Sequence, residues 1–301
     1  MARPRLAVTL GDPRGIGAEI VRKALDDPRV RAACDALVIG PAGVEAPVDE
    51  SVGDWKAGGT EAAAGRLAAL AIERAVALAR RGAVCGIVTA PIDKHALLAA
   101  GYDYPGHTEM LAALCATPTA MMLASDRLRV VLATTHIALR DVPRAVTPAA
   151  IAGVARLARA GLREWFGIVE PRLALCALNP HAGDGGRFGD EDDRVLTPAA
   201  RAAGLAGPFP ADTVFVRAIR GEFDAVIAPY HDVGMTAIKV ASFGHAVNVT
   251  LGLPFPRTSP DHGTAMDIAG QNRADASSMV QALVLCCALG EKRAKLATGN
   301  E

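Results

Sequence analysis

The sequence carries no net charge, because 32 Lys and Arg residues balance 32 Asp and Glu residues. A chain without an overall electrostatic field does not attract nucleic acid or an anionic membrane, so an anionic ligand must be captured by a local cluster of donors. We therefore expect a small-molecule partner, and neither nucleic acid nor a membrane.

Long hydrophobic runs are also missing, and no secretion signal is expected. The longest apolar stretch near the carboxyl terminus, 279–289, is shorter than a membrane span and contains Gln281. The apolar run 6–10 is broken at Gly11, too early for the hydrophobic part of a signal peptide. None of the six cysteines forms a C-x-x-C pair, and we interpret them as buried, reduced thiols. These features predict a cytoplasmic protein.

Hydrophobic residues make up 51% of the chain, and short apolar runs alternate with Ala-rich segments. This alternation is typical of βαβ units with a mostly parallel sheet. Thr60 as N-cap and Gly82 as terminator make 60–81 the clearest helix, whereas 41–59, with several Pro and Gly residues, is expected to be a surface connection. Strands are expected at 5–10, 36–40, 84–89, 129–134, 172–178, 224–228 and 246–251. Helices are expected near 15–26, 60–81, 108–116, 148–165, 195–203 and 276–290.

Three expected strands are each followed by a histidine, at His136, His181 and His231. Ligands of open α/β sheets bind beyond the carboxyl ends of the strands, and three imidazoles with an open position suit a catalytic divalent metal. Asp232 could orient its neighbour or contact the metal directly. The alternative is a set of unrelated loop histidines.

Anion-binding groups are expected at a turn that opens a helix, where Pro105-Gly106 precedes His107 and Thr108. Free backbone N–H groups and the helix dipole favour an anion there, although Thr108 could instead serve only as an N-cap. Lys239, Asn248 and Arg257 supply further polar groups in apolar, Gly- and Pro-rich surroundings.

The dinucleotide fingerprint G-x-G-x-x-G is absent after the first expected strand. The segment 11–17 (Gly-Asp-Pro-Arg-Gly-Ile-Gly) is interpreted as a tight turn that approaches either a ligand or the neighbouring strand. The glycine-rich segment 179–186 could enclose a ligand around the predicted metal.

Nearly the whole chain, from Leu6 to about Leu285, resembles the 4-hydroxythreonine-4-phosphate dehydrogenase family of vitamin B6 biosynthesis. The motifs that carry the resemblance recur in a specific order along the sequence. They are Gly11-Asp-Pro with Gly15-Ile-Gly17, Thr89-Ala-Pro91 with Lys94, Gly106-His-Thr-Glu109, Ala133-Thr-Thr-His136 with Leu139-Arg-Asp141, Leu178-Asn-Pro-His-Ala-Gly183, Pro210-Ala-Asp-Thr213, Tyr230-His-Asp232, Asn248-Val-Thr-Leu-Gly-Leu-Pro254 and Arg257-Thr-Ser259-Pro-Asp-His-Gly-Thr264.

The resemblance implies an α/β fold of two α/β/α domains with a cleft between them, related to isocitrate and isopropylmalate dehydrogenases. One domain would comprise 1–122 plus 252–301 and carry the NAD loop; the other, 123–251, would carry the metal histidines and dimer contacts. The implied homodimer shares its active sites, one subunit contributing a ligand to the other's metal. The implied site residues are metal ligands His136, His181 and His231, substrate contacts His107, Thr108, Lys239, Asn248 and Arg257, and cofactor contacts His262, Gly263, Thr264 and Asp267. The chemistry of the reaction adds catalytic candidates, since Lys239 or Asp232 could relay the proton of the substrate hydroxyl.

The implied activity is a metal-dependent oxidation, with decarboxylation, of 4-phosphohydroxy-L-threonine to 3-amino-2-oxopropyl phosphate. NAD or NADP would accept the hydride, and zinc, magnesium or cobalt would be bound. Relatives act on 4-phospho-threonate or 4-phospho-erythronate with the same site residues, and that substrate choice stays open. A metal-dependent hydrolase and a non-catalytic metal- or ligand-binding homologue are the remaining alternatives. The chain departs from the family pattern in its short 41–59 region, at Val233 and at Arg14.

Overall fold

The computed structural model describes residues 3–243 and 245–298. Two compact units divide the chain, one formed by Met1–Thr119 with Val247–Glu301 and the other by Ala120–Ala246. The strands are β1 (Arg5–Thr9), β2 (Asp35–Ala42), β3 (Glu50–Asp54), β4 (Gly86–Thr89), β5 (Ala120–Ala124), β6 (Arg129–Leu132), β7 (Leu173–Cys176), β8 (Ala206–Phe209), β9 (Ala225–Ala228), β10 (Val247–Leu251) and β11 (Arg257–Ser259). The helices are α1 (Gly17–Asp26), α2 (Pro28–Ala33), α3 (Glu61–Arg80), α4 (Lys94–Ala99), α5 (His107–Cys115), α6 (Val142–Ala145), α7 (Pro148–Glu164), α8 (Thr197–Ala203), α9 (Ala211–Ile219), α10 (His231–Ser242) and α11 (Ser277–Thr298).

The first unit contains a sheet in the order β3-β2-β1-β4-β11-β10, in which only the β10–β11 pair is antiparallel. Successive side chains of a strand point to opposite faces, and Ala7, Ile39 and Ile87 share one face with the apolar side of α3. Helix α11 packs on the other face, where the Cys286 thiol points to the carbonyl of Ile87. The unit therefore has helices on both sides of its sheet.

The second unit has the sheet order β5-β6-β9-β7-β8, with β5 antiparallel to β6 and the remaining pairs parallel. Val130, Val226 and Ala174 lie on one face, in a core with residues of α9 and α10. Helix α7 packs against β5 and β6 and buries Ile151, among others. Both units are thus α/β/α layers, as the resemblance implied.

Most expected elements are confirmed, including the Thr60 cap, whose hydroxyl accepts a hydrogen bond from the Ala63 N–H. The prediction that 41–59 is only a surface connection is wrong, because it contains β3, which pairs with β2 at the sheet edge. Several elements that are short or lack clear periodicity were also missed: β5, β8, β11, α2, α4, α6, α9 and α10. All six cysteines are free thiols. Cys85 and Cys115 are partly buried, and the other four are buried. Among the described residues, no helix combines the length and apolarity needed to cross a bilayer.

Candidate active site

His136 and His231 meet because they follow neighbouring parallel strands. Leu132 lies opposite Ala228 in the β6–β9 register, and the Thr134 hydroxyl donates a hydrogen bond of 2.8 Å to the Pro229 carbonyl just beyond the strand ends. The two imidazole ring centroids are 5.5 Å apart. They border a cavity of about 130 Å³ whose other lining residues are Thr135, Ile137, Leu139, Val142, Tyr230 and Asp232.

Helix α10 presents His231 at its first residue, and Gly234 lets this helix lie close to the sheet. A Cβ atom at position 234 would lie 2.8 Å from a Leu132 methyl and 2.9 Å from side-chain atoms of Ala228 and Val130. Glycine is therefore required for the close helix–strand approach that places His231 beside His136.

Asp232 orients the His231 ring, with 2.7 Å between His231 Nδ1 and Asp232 Oδ1. A carboxylate only accepts hydrogen bonds, so Nδ1 carries a proton and Nε2 is the ring nitrogen that remains for coordination. Two imidazoles bound to one tetrahedral zinc ion at about 2 Å have ring centres about 5 Å apart. The observed spacing and donor chemistry of the His136–His231 pair fit a divalent metal.

His181, the third predicted metal ligand, follows β7, the strand on the other side of β9. Its ring lies near that of Phe188, with 6.2 Å between the ring centroids. Within the described part of this single chain, no three His, Cys, Asp or Glu side chains form a group able to hold a metal ion. One chain therefore unites two of the three predicted ligands, and the three-histidine site stays a prediction.

Lys239 lies eight residues after His231 on the same helix, α10, and is exposed. Asp232 is exposed as well, with 86% of its side chain accessible. The second unit thus carries both predicted catalytic groups on the helix that begins with a predicted metal ligand.

In the first unit, Arg257 is buried in the middle of the sheet and is only 1% exposed. Its Nη1 donates to the Thr250 hydroxyl at 2.9 Å and its Nη2 to the Thr89 hydroxyl at 2.5 Å, while Nε has no partner. Burial lowers the pKa of Arg257 to about 10, which leaves it a cation at neutral pH, and no carboxylate among the described residues pairs with it. A buried charge without a counter-ion is costly, so this site is suited to an anionic ligand.

His107 and Asn248, two other predicted substrate contacts, also carry unsatisfied polar atoms. The His107 Nε2 and Asn248 Oδ1 atoms are buried without a hydrogen-bond partner. Burial lowers the pKa of His107 well below its usual 6.5, and the charge of Arg257 lowers it further. The ring is therefore neutral at pH 7, with one nitrogen that donates and one that accepts.

Helix α5 begins at His107, as the sequence predicts, and its N-cap residue is Gly106. Thr108 is the second helical residue, so the alternative in which it acts only as the N-cap is wrong. Its hydroxyl and the first N–H groups of a nine-residue helix remain suited to an anion.

The predicted cofactor segment, 261–270, packs against the glycine turn 11–17. The Ile16 N–H donates a hydrogen bond of 2.9 Å to the Thr264 carbonyl, and a Cβ at Gly15 would lie 2.7 Å from that oxygen. His262 Nδ1 lies 3.1 Å from the Gly263 carbonyl, while its buried Nε2 has no partner. Asp267 is exposed. The glycine turn therefore makes two close approaches. Gly15 lies against the cofactor segment, and Gly11 lies against the chain after β4, where a Cβ atom would overlap the Pro91 carbonyl oxygen.

Helix α1 holds the chain just beyond the cofactor segment, at Asn272 and Ala274. Glu19, 9% exposed, accepts hydrogen bonds from the Ala274 N–H at 2.7 Å and from Lys23 Nζ at 2.8 Å. Lys23 also donates to the carbonyls of Asn272 and Ala274. Sequence reasoning missed this contact, because its partners are about 250 positions apart.

Two further residues near these sites had no role assigned from the sequence. Lys94 lies beside the start of α5, with its Cε atom 3.8 Å from the position that a Cβ atom at Gly106 would occupy. Arg14 pairs with the buried Asp12 and lies 3.5 Å from Asp93, in the glycine turn. The only sequence signal for Lys94 was the family motif that contains it. The only signal for Arg14 was that it departs from the family pattern at this position.

Comparison with known proteins identifies the family. Residues 19–286 match the family described as "Pyridoxal phosphate biosynthetic protein PdxA". A 4-hydroxythreonine-4-phosphate dehydrogenase of Beijerinckia indica is 47% identical, with 91% of each chain covered. A D-threonate 4-phosphate dehydrogenase of Salmonella typhimurium is 42% identical, over 96% of this chain and all of the relative. The crystal structure of a 4-hydroxythreonine-4-phosphate dehydrogenase from Klebsiella pneumoniae superposes with a TM-score of 0.87 at 39% identity, covering 95% of this chain and 99% of that one. The chain therefore belongs to the PdxA family and is an oxidoreductase of the dehydrogenase type.

Proposed function

We propose that this protein catalyses the metal-dependent, NAD-linked oxidation and decarboxylation of 4-phosphohydroxy-L-threonine to 3-amino-2-oxopropyl phosphate. The relatives' names support a phosphorylated hydroxy acid as substrate, with 4-phospho-threonate and 4-phospho-erythronate as the alternatives. NADP is the alternative hydride acceptor. The proposal depends above all on Arg257, a buried cation in the described structure without a carboxylate partner.

The phosphate is assigned to the donors of the first unit. Arg257 Nε, whose hydrogen-bonding capacity is unused, supplies charge, while His107 and Thr108 supply donors at the start of α5. Charge-assisted hydrogen bonds of this kind are about twice as strong as neutral ones. Asn248 would fix the substrate through its amide.

His136, His231 and a third imidazole from His181, supplied across a homodimer, would hold a divalent metal. A bound metal lowers the pKa of a substrate hydroxyl and stabilises negative charge as hydride leaves and carbon dioxide is lost. Asp232 keeps the His231 ring in the tautomer that leaves Nε2 for coordination. The proton of the substrate hydroxyl is assigned to Lys239 or Asp232.

The cofactor is assigned to 261–270, with His262, Gly263, Thr264 and Asp267 as contacts. The buried, unpartnered Nε2 of His262 offers a hydrogen-bond acceptor to a ribose hydroxyl. Glu19 and Lys23 anchor the chain just beyond this segment, at Ala274.

The test is a substrate panel of the three phosphorylated acids with NAD and with NADP, followed by the absorbance of the reduced nicotinamide. We expect turnover with NAD on at least one acid, loss of turnover with a chelator and recovery with added zinc, magnesium or cobalt. 4-Hydroxythreonine without its phosphate should be a much poorer substrate. Metal binding without nicotinamide reduction on any acid would instead support a non-catalytic homologue, and phosphate release without reduction would support a hydrolase.

A further inference from the structure

The segment that carries His181 has a strained backbone. His181, Ala182 and Asp184 adopt left-handed conformations, with φ angles of 53°, 55° and 45°. L-residues other than glycine are disfavoured in this region, and such conformations persist only where surrounding contacts determine them. Something outside the segment must therefore hold it.

Asp192 provides the first of these contacts. Its carboxylate is 1% exposed, and its two oxygens accept hydrogen bonds from consecutive backbone N–H groups, Leu178 at 2.8 Å and Asn179 at 2.9 Å. Asp192 forms no ion pair with a Lys, Arg or His of the described chain. The donors that compensate its buried charge are the backbone N–H groups of Leu178 and Asn179. A buried carboxylate needs such donors, so the carboxylate and the segment stabilise each other.

Glu191 provides the second contact. Its Oε2 accepts a hydrogen bond of 2.8 Å from Asn179 Nδ2, two residues before His181. The chain passes so closely over this bond that a Cβ at Gly189 would lie 2.6 Å from the Glu191 oxygen and 2.8 Å from the Asn179 nitrogen. Gly183 is equally constrained, with 2.9 Å between its Cβ position and the Gly189 carbonyl.

We propose that Asp192 and Glu191 are positioning residues that hold the His181 imidazole in place for the metal. This inference rests on the proposed function, in which His181 is a metal ligand. Asp192 binds the backbone of Leu178 and Asn179, and Glu191 binds the Asn179 side chain, so both act on the residues before His181 rather than on its ring. Loss of such supporting contacts typically weakens metal binding 10- to 100-fold.

The first test compares Asp192→Asn with Asp193→Asn in the full-length protein. The two substitutions remove the same charge with the same change of shape, but Asp193 is exposed. An amide has only one acceptor oxygen, so one backbone N–H loses its partner in Asp192→Asn. The dissociation constant for zinc, measured by chelator competition, should rise 10- to 100-fold in Asp192→Asn and stay within twofold in Asp193→Asn. His181→Ala identifies the part of the zinc signal that belongs to this site.

The second test uses the pair Glu191→Ala and Glu191→Gln, which stays informative if Asp192→Asn does not fold. The glutamine amide oxygen can accept the same bond from Asn179, so zinc affinity should fall several-fold in the alanine variant and recover in the glutamine variant. A purely structural role would lower the thermal midpoint of the metal-free protein and leave zinc affinity unchanged.

The outcomes separate the two proposals. The positioning role alone is overturned if the wild-type protein binds zinc through His181 and Asp192→Asn binds it with unchanged affinity. If Asp192→Asn does not fold, unchanged zinc affinity in both Glu191 variants overturns the positioning role in the same way. Wild-type protein whose zinc signal is unaffected by His181→Ala, or which binds no zinc, overturns the metal assignment in the proposed function and this inference with it.

Discussion

At the scale of the residue, four of the eight buried side-chain polar atoms that lack partners in the described structure belong to site residues singled out by the sequence. His107, Asn248, Arg257 and His262 each have a buried polar atom without a hydrogen bond in the described structure. Buried polar groups are almost always satisfied, so such a coincidence points to ligand contacts. Arg257 is the clearest case, because its two hydroxyl partners do not neutralise its charge.

We expect Arg257→Lys to raise the KM for the phosphorylated substrate about 10- to 100-fold, because lysine keeps the charge but loses the planar fork of donors. The weak activity on the substrate without phosphate should change much less. Steady-state kinetics on both compounds measure this, with the thermal midpoint as a check on folding. An equal loss on both would contradict the assignment of Arg257 to the phosphate.

The pKa of Glu19 gives a prediction about acid stability. Burial alone raises this pKa, but the hydrogen bonds from Lys23 and the Ala274 N–H outweigh it, so the pKa lies below its usual 4.5. A carboxyl whose folded-state pKa is lowered stabilises the fold above the unfolded-state value, and this contribution disappears as the pH falls through the folded-state pKa.

Glu19→Gln should therefore lower the free energy of unfolding by about 1–2 kcal/mol at pH 7, and by less at pH 3. Urea unfolding at the two pH values measures the difference. Glu291→Gln, an exposed position on α11, is the matched control and should have little effect at either pH. A loss in Glu19→Gln that is the same at both pH values would contradict the role of the charge.

At the scale of the element, α10 decides where the predicted catalytic groups of the second unit lie. It begins with His231, carries Asp232 and Lys239, and approaches the sheet through Gly234. Side chains of β6 and β9 occupy the space that a larger residue at position 234 would need. The helix start, and with it the His136–His231 pair, is therefore sensitive to one methyl group.

Gly234→Ala should destabilise the fold by about 1–3 kcal/mol, the usual range for overpacking, and weaken metal binding by moving His231. Gly153→Ala in α7 is the control, since nothing lies within 4 Å of its Cβ position and alanine favours helix by up to about 1 kcal/mol. Thermal unfolding and zinc titration of both variants test this. Similar stability changes in the two variants would show that the contact with the sheet is unimportant.

At the scale of the whole molecule, the proposed homodimer gives a testable role to exposed apolar side chains of the second unit. Val240 is 71% exposed and Phe243 82% exposed, both near the end of α10, and Leu139 beside the His136–His231 cavity is 67% exposed. Val240 and Phe243, three residues apart at the end of this helix, are large exposed apolar side chains of the kind that mark an interaction site. Phe243→Asp should shift the protein from dimer to monomer in sedimentation velocity and reduce turnover. Arg220→Asp, at the end of α9, is the control and should remain dimeric.

Much of the fold followed from local pattern. The alternation of apolar runs and Ala-rich segments identified β1, β2, β4, β6, β7, β9 and β10 and six helices, because a buried parallel strand and an amphipathic helix each require a characteristic residue pattern. β3, β5, β8 and β11 escaped, since a short strand is defined by its neighbours in the sheet more than by its own residues.

The sequence by itself determined which residue types were available for chemistry, and where each stands relative to a strand or helix end. That sufficed to select His107, His136, His231 and Arg257. Only the tertiary structure decided that Arg257 is buried on two threonines, that His136 and His231 lie together, and that Asp192 supports the segment before His181. These depend on strand order and side-chain packing between positions far apart in the chain, which no local pattern encodes.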